Sequence, residues 1–210
     1  MRNQLILFLN AVAAGISIGI GGWVYIICSS KIAGAALFSI GLFMVCSRKY
    51  NLYTGKIGYA VTDKNLHKNL IQIWAGNFAG AFIVGTLFRF TRMFTQQSGD
   101  TVRGIVSGKI DDTWYGIFIL AVFCGILMFF AVDTFNSFDG KPLFQELGVL
   151  LGVMVFILCG FNHCVADMFY ITAAGMWSVK ALIYILIVTI GNSVGSIIFS
   201  LIKYASKKQS

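Results

Sequence analysis

The sequence predicts an all-α membrane protein of six transmembrane helices, arranged as an inverted 3+3 repeat in which helices two and five are broken. Three observations carry the prediction. Of 210 residues, 58% are hydrophobic and 11% charged, with a mean hydropathy of +0.81. Uncharged stretches fall into six runs of about membrane length, and the first three runs share short matches with the last three. A soluble domain carries about 25% charged residues, so lipid is the natural solvent here. At roughly 20 residues per crossing, the chain has room for six spans with short connections and for no further folded domain.

The runs cover 5–30, 32–47, 69–88, 113–132, 147–166 and 181–202. The first follows Met1-Arg2-Asn3-Gln4, as a signal peptide would, but it exceeds the roughly 7–15 residues of a signal core and is expected to stay as a span. The second is cut by Ser47-Arg48-Lys49-Tyr50-Asn51 and resumes over 52–62. The fifth is interrupted around 160–167 and resumes over 168–179. A continuous lipid-facing helix does not carry such interruptions, because freed backbone groups at membrane depth must face protein or a cavity.

Internal matches pair the two interruptions. Ala11-Val12-Ala13-Ala14-Gly15-Ile16 resembles Ala121-Val122-Phe123-Cys124-Gly125-Ile126, and Phe43-Met44-Val45-Cys46 resembles Phe156-Ile157-Leu158-Cys159. Gly76-Asn77-Phe78-Ala79-Gly80 resembles Gly191-Asn192-Ser193-Val194-Gly195. Three matches in order at nearly constant offset predict a duplicated unit, residues 1–92 and 109–210 within one domain. Because three spans are odd in number, the second copy enters from the opposite side, the arrangement common in transporters. Gly15 with Gly19, Gly76 with Gly80 and Gly191 with Gly195 add the spacing that lets helix backbones approach.

The net charge of +8 does not point to nucleic acid, since the Lys and Arg are scattered singly between apolar runs. With the N-terminus inside, Arg2, Lys64, Lys68, Lys141, Lys203, Lys207 and Lys208 lie on the inner side, against Lys31, Arg89, Arg92, Arg103, Lys109 and Lys180 outside. The bias is slight and the Lys-rich tail tips it inward. Cys28, Cys46, Cys124, Cys159 and Cys164 form no CxxC pair and read as small apolar packing groups.

Chemistry is expected at the two interruptions, over 52–56 and 161–167. Thr54 brings a hydroxyl that donates and accepts; His163 brings an imidazole able to carry a proton near neutral pH. An ionisable group inside a membrane is a functional candidate by default, against the alternative of a neutral histidine bonded to a backbone carbonyl. Cys159, His163 and Asp167 have i, i+4 spacing, but the chain bends between them and no second histidine is near, so no metal is expected. His163 and Cys164 are adjacent and would not face each other as base and nucleophile. His67 lies in a charged loop. Lys109 precedes span four beside Asp111 and Asp112, either as half of a loop ion pair or as a cation facing a vestibule.

The chain also resembles, over nearly its whole length, the formate/nitrite transporter family of bacterial and archaeal channels. Ala14-Gly15, Leu52-Tyr53-Thr54-Gly55, Gly191-Asn192-Ser193-Val194-Gly195 and, most specifically, Phe161-Asn162-His163-Cys164-Val165-Ala166-Asp167-Met168-Phe169 carry the likeness. It implies an aquaporin-like protomer in a homopentamer, one pore per subunit, in the cell's inner (plasma) membrane with both termini cytoplasmic. The family's central histidine falls on His163 and the threonine of its Ω-shaped loop on Thr54. Its vestibule lysine, ahead of a Cys-Asn pair, falls on Lys109, with Cys124-Gly125 in the pair's place. The asparagine of span six falls on Asn192. An outer apolar constriction would be lined by Phe38, Leu42, Leu52 and Tyr53, and an inner one by Phe156.

Three positions depart from the family pattern. Gly125 replaces an asparagine and is expected to widen the pocket or admit water; Asn162 stands where glutamate is frequent; Tyr53 adds a hydroxyl to an apolar gate. The implied substrates are small weak-acid anions, formate or nitrite first, with hydrosulfide, acetate or lactate as alternatives, crossing a narrow apolar conduit beside the imidazole with a proton in company. A neutral-solute channel for ammonia or urea is a rival, in which Lys109 would have no use. A membrane enzyme is another, but its cluster of carboxylates or histidines at one face is missing from the sequence apart from Asp111 and Asp112. No cofactor and no metal are expected.

Overall fold

The computed structural model describes residues 2–63 and 65–207, and among them every regular element is helical. In chain order these are α1 (Arg2–Ile27), α2 (Lys31–Ser47), the single turn α3 (Tyr53–Lys56), α4 (Leu70–Arg89), α5 (Gln96–Ile110), α6 (Trp114–Ser137), α7 (Pro142–Leu158), α8 (Cys164–Ala174) and α9 (Val179–Lys207). Two 3₁₀ turns, Ile57–Val61 and Leu66–Asn69, join α3 to α4. Lys64 and Lys208, counted above toward the inner side, lie outside the described residues, as does the side chain of Lys207.

Four helices are long and apolar enough to cross a bilayer: α1, α4 with the turn before it, α6 and α9. α2 and α7 are not. Each has 17 residues, roughly 25 Å at 1.5 Å per residue against a hydrocarbon core of about 30 Å. Both stop by the same device. At the end of α2 the Tyr50 N–H bonds the Val45 carbonyl and the Lys49 N–H bonds the Cys46 carbonyl, with Lys49 left-handed at φ 56°. At the end of α7 the Phe161 N–H bonds the Phe156 carbonyl and the Gly160 N–H bonds the Ile157 carbonyl, with Gly160 left-handed at φ 68°. These are Schellman turns, which close the last carbonyls and turn the chain off the helix axis. A short extended stretch follows, and the chain restarts at Leu52 before α3 and at His163 before α8. The non-helical stretches are thus 48–52 and 159–163. Cys164, Val165, Ala166 and Asp167, expected inside the second interruption, already belong to α8.

α1 packs along α4 and α6 along α9 as the two most extensive helix contacts. In both seams glycines bring backbone against backbone. A Cβ on Gly80 would overlap the Val12 carbonyl oxygen, and one on Gly195 the Val122 carbonyl oxygen; Gly76 and Gly191 meet the methyls of Ala11 and Ala121. Such approach is what membrane helices use in place of a hydrophobic drive. The outward faces stay apolar, with Leu5, Ile71, Phe90, Trp114, Leu143 and Leu182 exposed, as lipid contact requires.

The broken elements lie inside this frame. Every residue of α8 is buried, an apolar half-helix enclosed by α1, α4, α5 and α9. α5 lies between the third and fourth apolar runs, where no apolar run predicts a helix. Its low overall hydrophobicity hides it, yet Ser98, Val102, Val106 and Ile110 recur every four residues and are the buried face laid on α8. A reciprocal cap starts it: Thr95 Oγ1 accepts from the Ser98 N–H at 3.2 Å, and Ser98 Oγ accepts from the Thr95 N–H at 2.8 Å.

Candidate functional site

Two asparagines hold the two breaks by the same set of bonds. Asn77, on α4, accepts the Tyr53 N–H at 2.8 Å and donates to the carbonyls of Asn51 and Ala11, each at 2.8 Å. Asn192, on α9, accepts the Cys164 N–H at 2.9 Å and donates to the carbonyls of Asn162 and Ala121, each at 2.8 Å. An extended chain inside a membrane leaves backbone donors and acceptors that water cannot reach, and a carboxamide supplies both kinds at once. Asn192, expected on the substrate path, is bonded to the backbone of the second break. Asn77 occupies the matching place beside Gly76, and the Gly76-Asn77 and Gly191-Asn192 match is its signal in the sequence.

These clamps bring Thr54 and His163 together from 109 residues apart, Thr54 Oγ1 lying 2.9 Å from His163 Nε2. The ring's tautomer follows from its other nitrogen. His163 caps α8, and its Nδ1 accepts the Ala166 N–H at 3.1 Å, so the neutral ring carries its proton on Nε2 and donates to Thr54. The hydroxyl proton of Thr54 then has no acceptor among the described residues and is free for an oxygen in front of it. Phe156 stacks on the imidazole with centroids 5.6 Å apart, and Phe38 meets Phe156 edge-on at 5.6 Å.

Lys109, near the end of α5, reaches the carbonyl side of the second break. Its Nζ donates to Asn162 Oδ1 at 2.9 Å and to the Phe161 carbonyl at 3.1 Å, and lies 3.2 Å from Asp167 Oδ1. Asp167 is buried in the first turn of α8, where the helix dipole favours a carboxylate, and its Oδ2 accepts from the Tyr184 hydroxyl at 2.7 Å. The loop ion pair weighed for Lys109 is made instead by Asp111, with Lys180 at 2.6 Å. Asn162 positions Lys109 and donates to the Ile117 carbonyl at 3.2 Å. In the sequence the signal for Asp167 is a lone carboxylate inside an apolar stretch, beyond its i, i+4 spacing from His163. Among the described residues no group of three metal-ligating side chains occurs.

Phe38, Leu42, Leu52 and Phe156 are all buried in one apolar cluster, with Tyr53 packed against it. Phe156 and Leu52 border different cavities. Phe156 borders a cavity of about 260 Å³ that also contains Lys109, Asp167 and Tyr170, whereas Leu52 borders one of about 160 Å³ with Lys49, Lys56 and Asn136. Thr54 is 0% and His163 1% exposed, and neither lines either of these two cavities, which reach only their neighbours Leu52 and Gly55 on one hand and Phe156 and Ala166 on the other.

The two remaining departures are explained by packing. The space a side chain at Gly125 would fill is taken by the Asn192 backbone, so this glycine draws α6 onto α9 and does not widen the pocket. The Tyr53 hydroxyl donates to Ser193 Oγ at 2.9 Å, since the Ser193 proton goes to the Thr189 carbonyl. Cys159 is exposed, Cys164 is buried, and His67 is exposed.

A family described as formate/nitrite transporter has a model that matches residues 2–206. Formate channel FocA of Haemophilus influenzae is 29% identical over 153 residues, 68% of this chain and 53% of that protein. Formate channel FocA of Escherichia coli (strain K12) is 26% identical over 190 residues, 81% of this chain and 66% of that protein. The probable formate transporter of Methanothermobacter thermautotrophicus is 30% identical over 198 residues, 80% of this chain and 72% of that protein. The chain spans 53% and 66% of the length of the two FocA channels. A solved pentameric formate channel with formate bound superposes with a TM-score of 0.88 at 24% identity, covering 100% of this chain and 99% of its own. An FNT family ion channel does so at 0.86 and 20% identity, covering 98% and 91%. At these identities the two structures show a shared fold.

Proposed function

Because this chain belongs to the formate/nitrite transporter family, we propose that it is a pore for small monovalent weak-acid anions, formate or nitrite, which cross accompanied by a proton. The observation that carries the reading is the 2.9 Å contact of Thr54 with His163, made where the two broken elements meet. A donor chain runs from the imidazole Nε2–H to the threonine oxygen and leaves the threonine proton for an anion's oxygen. Around it the walls are Phe38, Leu42, Leu52 and Phe156, which exclude hydrated ions through the cost of stripping their water. A bare anion bears that cost in full and a neutral acid does not, which favours passage with a proton.

In this reading α2 with α3, and α7 with α8, each complete one crossing, giving six in all. The units 1–92 and 109–210 are inverted copies, a reading supported by the matched bonds of Asn77 and Asn192. The protomers assemble as a homopentamer in the inner membrane with both termini cytoplasmic. The activity is transport and not catalysis, in line with relatives named as channels and transporters.

The test is uptake by purified protein in liposomes with no other component, using formate, nitrite, hydrosulfide, acetate and lactate across pH 5 to 8. Formate or nitrite uptake by the wild type is expected, and His163→Phe is expected to abolish it while the assembly keeps its elution volume. Undiminished uptake by that variant would remove His163 from the pathway, and wild-type liposomes as tight as empty ones would remove the transport reading.

A further inference from the structure

The cavity of about 160 Å³ beside the first break holds positive charge that its own wall does not balance. Leu52, Gly55 and Lys56, which flank Thr54 in the chain, line it together with Lys49. Lys49 is exposed and Lys56 partly buried, and among the described residues neither ammonium has a hydrogen-bond or ion-pair partner. The other titratable groups in the wall are the Cys46 thiol and the Tyr50 phenol, and among the described residues no carboxylate lines it. Asp133, next to the lining residue Val132, is already held by Lys203 and by the Tyr59 hydroxyl, the latter at 3.1 Å.

The cavity that contains Lys109 is built differently. There the Asp167 carboxylate stands 3.2 Å from the ammonium and balances its charge. The asparagine clamps show where the difference arises. Asn77 accepts the Tyr53 N–H and Asn192 the Cys164 N–H, so Tyr53 and Cys164 hold equivalent places; three residues on, Lys56 stands where the second break has Asp167. A cation in the place of a carboxylate leaves one break neutral and the other positive. Lys49 is the second sign. It occupies the left-handed position at φ 56° that the matching turn gives to Gly160. A side chain is disfavoured there, and strain kept beside a cavity points to a use for the side chain that bears it.

We propose that Lys49 and Lys56 form a binding site for a small monovalent anion, gathered next to Thr54 by two ammonium groups. The inference rests on the reading of the chain as a weak-acid pore and adds to it the place where the anion collects and the charges that collect it. Unbalanced cations at a cavity with apolar walls raise the local concentration of anions, whereas the Lys109–Asp167 pair brings no net charge to do so. Lys49 and Lys56 are binding residues in this account; each acts through its charge, so the site depends on the ammonium and not on the packing of the side-chain stem.

The experiment is exchange of labelled formate or nitrite across proteoliposomes at equal concentration on both faces, so that the direction in which the protein inserts does not matter. The wild type is compared with Lys56→Gln, Lys56→Arg and Lys49→Gly. Lys56→Gln is expected to raise the half-saturating concentration about fivefold, the weight of one charge at contact distance in water, with the rate at saturation kept. Lys56→Arg is expected to restore the wild-type value. Lys49→Gly removes the second charge while relieving the backbone, so it is expected to fold at least as well as the wild type and still to raise the half-saturating concentration. A half-saturating concentration unchanged in both Lys56→Gln and Lys49→Gly, or raised as much by Lys56→Arg as by Lys56→Gln, would overturn the site. A wild type that exchanges neither anion faster than empty liposomes would instead overturn the transport reading, and the site with it.

Discussion

His163 shows how much one side chain is asked to do by its surroundings. Its Nδ1 is spent on the backbone of α8, its Nε2 on Thr54, and its face on Phe156, so its orientation is fixed from three sides. Lys49 shows the opposite case, a residue in a conformation its side chain does not favour. It holds the left-handed position of the first Schellman turn, where the second turn has Gly160. A side chain costs roughly 1–2 kcal/mol in that region, so Lys49→Gly is expected to stabilise the protein by about 1 kcal/mol, read as a rise in melting temperature. Outside the membrane, the Arg103 guanidinium, followed by the Gln96 amide, holds the Asp100 carboxyl below the usual carboxylate range. The support this gives α5 is present above the ordinary carboxylate range and is lost as pH falls through the lowered value. The pair is exposed and screened. Hydrogen exchange over the first turns of α5 is expected to quicken only at strongly acidic pH, and Asp100→Asn to remove that dependence.

At the scale of elements, the glycine seams and the asparagine clamps form one device. Gly76 and Gly191 stand immediately before Asn77 and Asn192, so the same turn of helix that approaches its neighbour closely also presents the carboxamide to the break. Separating the helices would withdraw the clamp. Gly195→Ala is expected to destabilise by about 1–3 kcal/mol through overpacking against the Val122 backbone, with lower melting temperature and reduced formate uptake together. An equal drop in melting temperature with full uptake would show that the break does not depend on the seam. The tripling of small-residue spacing, the two interrupted runs and the paired sequence matches made these elements legible in the sequence. The start of the half-helix α8 lies four residues before the expected resumption at 168, because nothing in Asn162-His163-Cys164 says that a histidine will cap the helix. α5 was missed because charge and glycine dilute its four-residue period.

Over the whole molecule, apolar surface faces outward and the buried polar groups gather where the broken elements converge. The polar centre is closed by aromatic packing: Phe38 on Phe156, and Phe156 on His163. Phe156→Ala opens the wall between the Lys109 cavity and the imidazole. The expected result is uptake of larger monocarboxylates such as lactate alongside formate, measured in the same liposomes, with selectivity lost before stability. A variant as selective as the wild type would place the constriction elsewhere in the apolar cluster.

By itself the sequence determined the apolar composition, the number of apolar runs and the two interruptions, and it put forward Thr54, His163 and Lys109 as candidates, since composition and charge spacing are properties of the chain read in order. Only the tertiary structure decided which groups meet: that Lys109 stands against Asp167 and not Asp111, that Asn192 bonds the backbone of the second break, that Gly125 closes a helix seam, and that Phe156 and Leu52 border different cavities. These are distances between atoms of different helices. They depend on how helices cross and rotate about one another, which is fixed by packing across the whole assembly and not by any local run of residues.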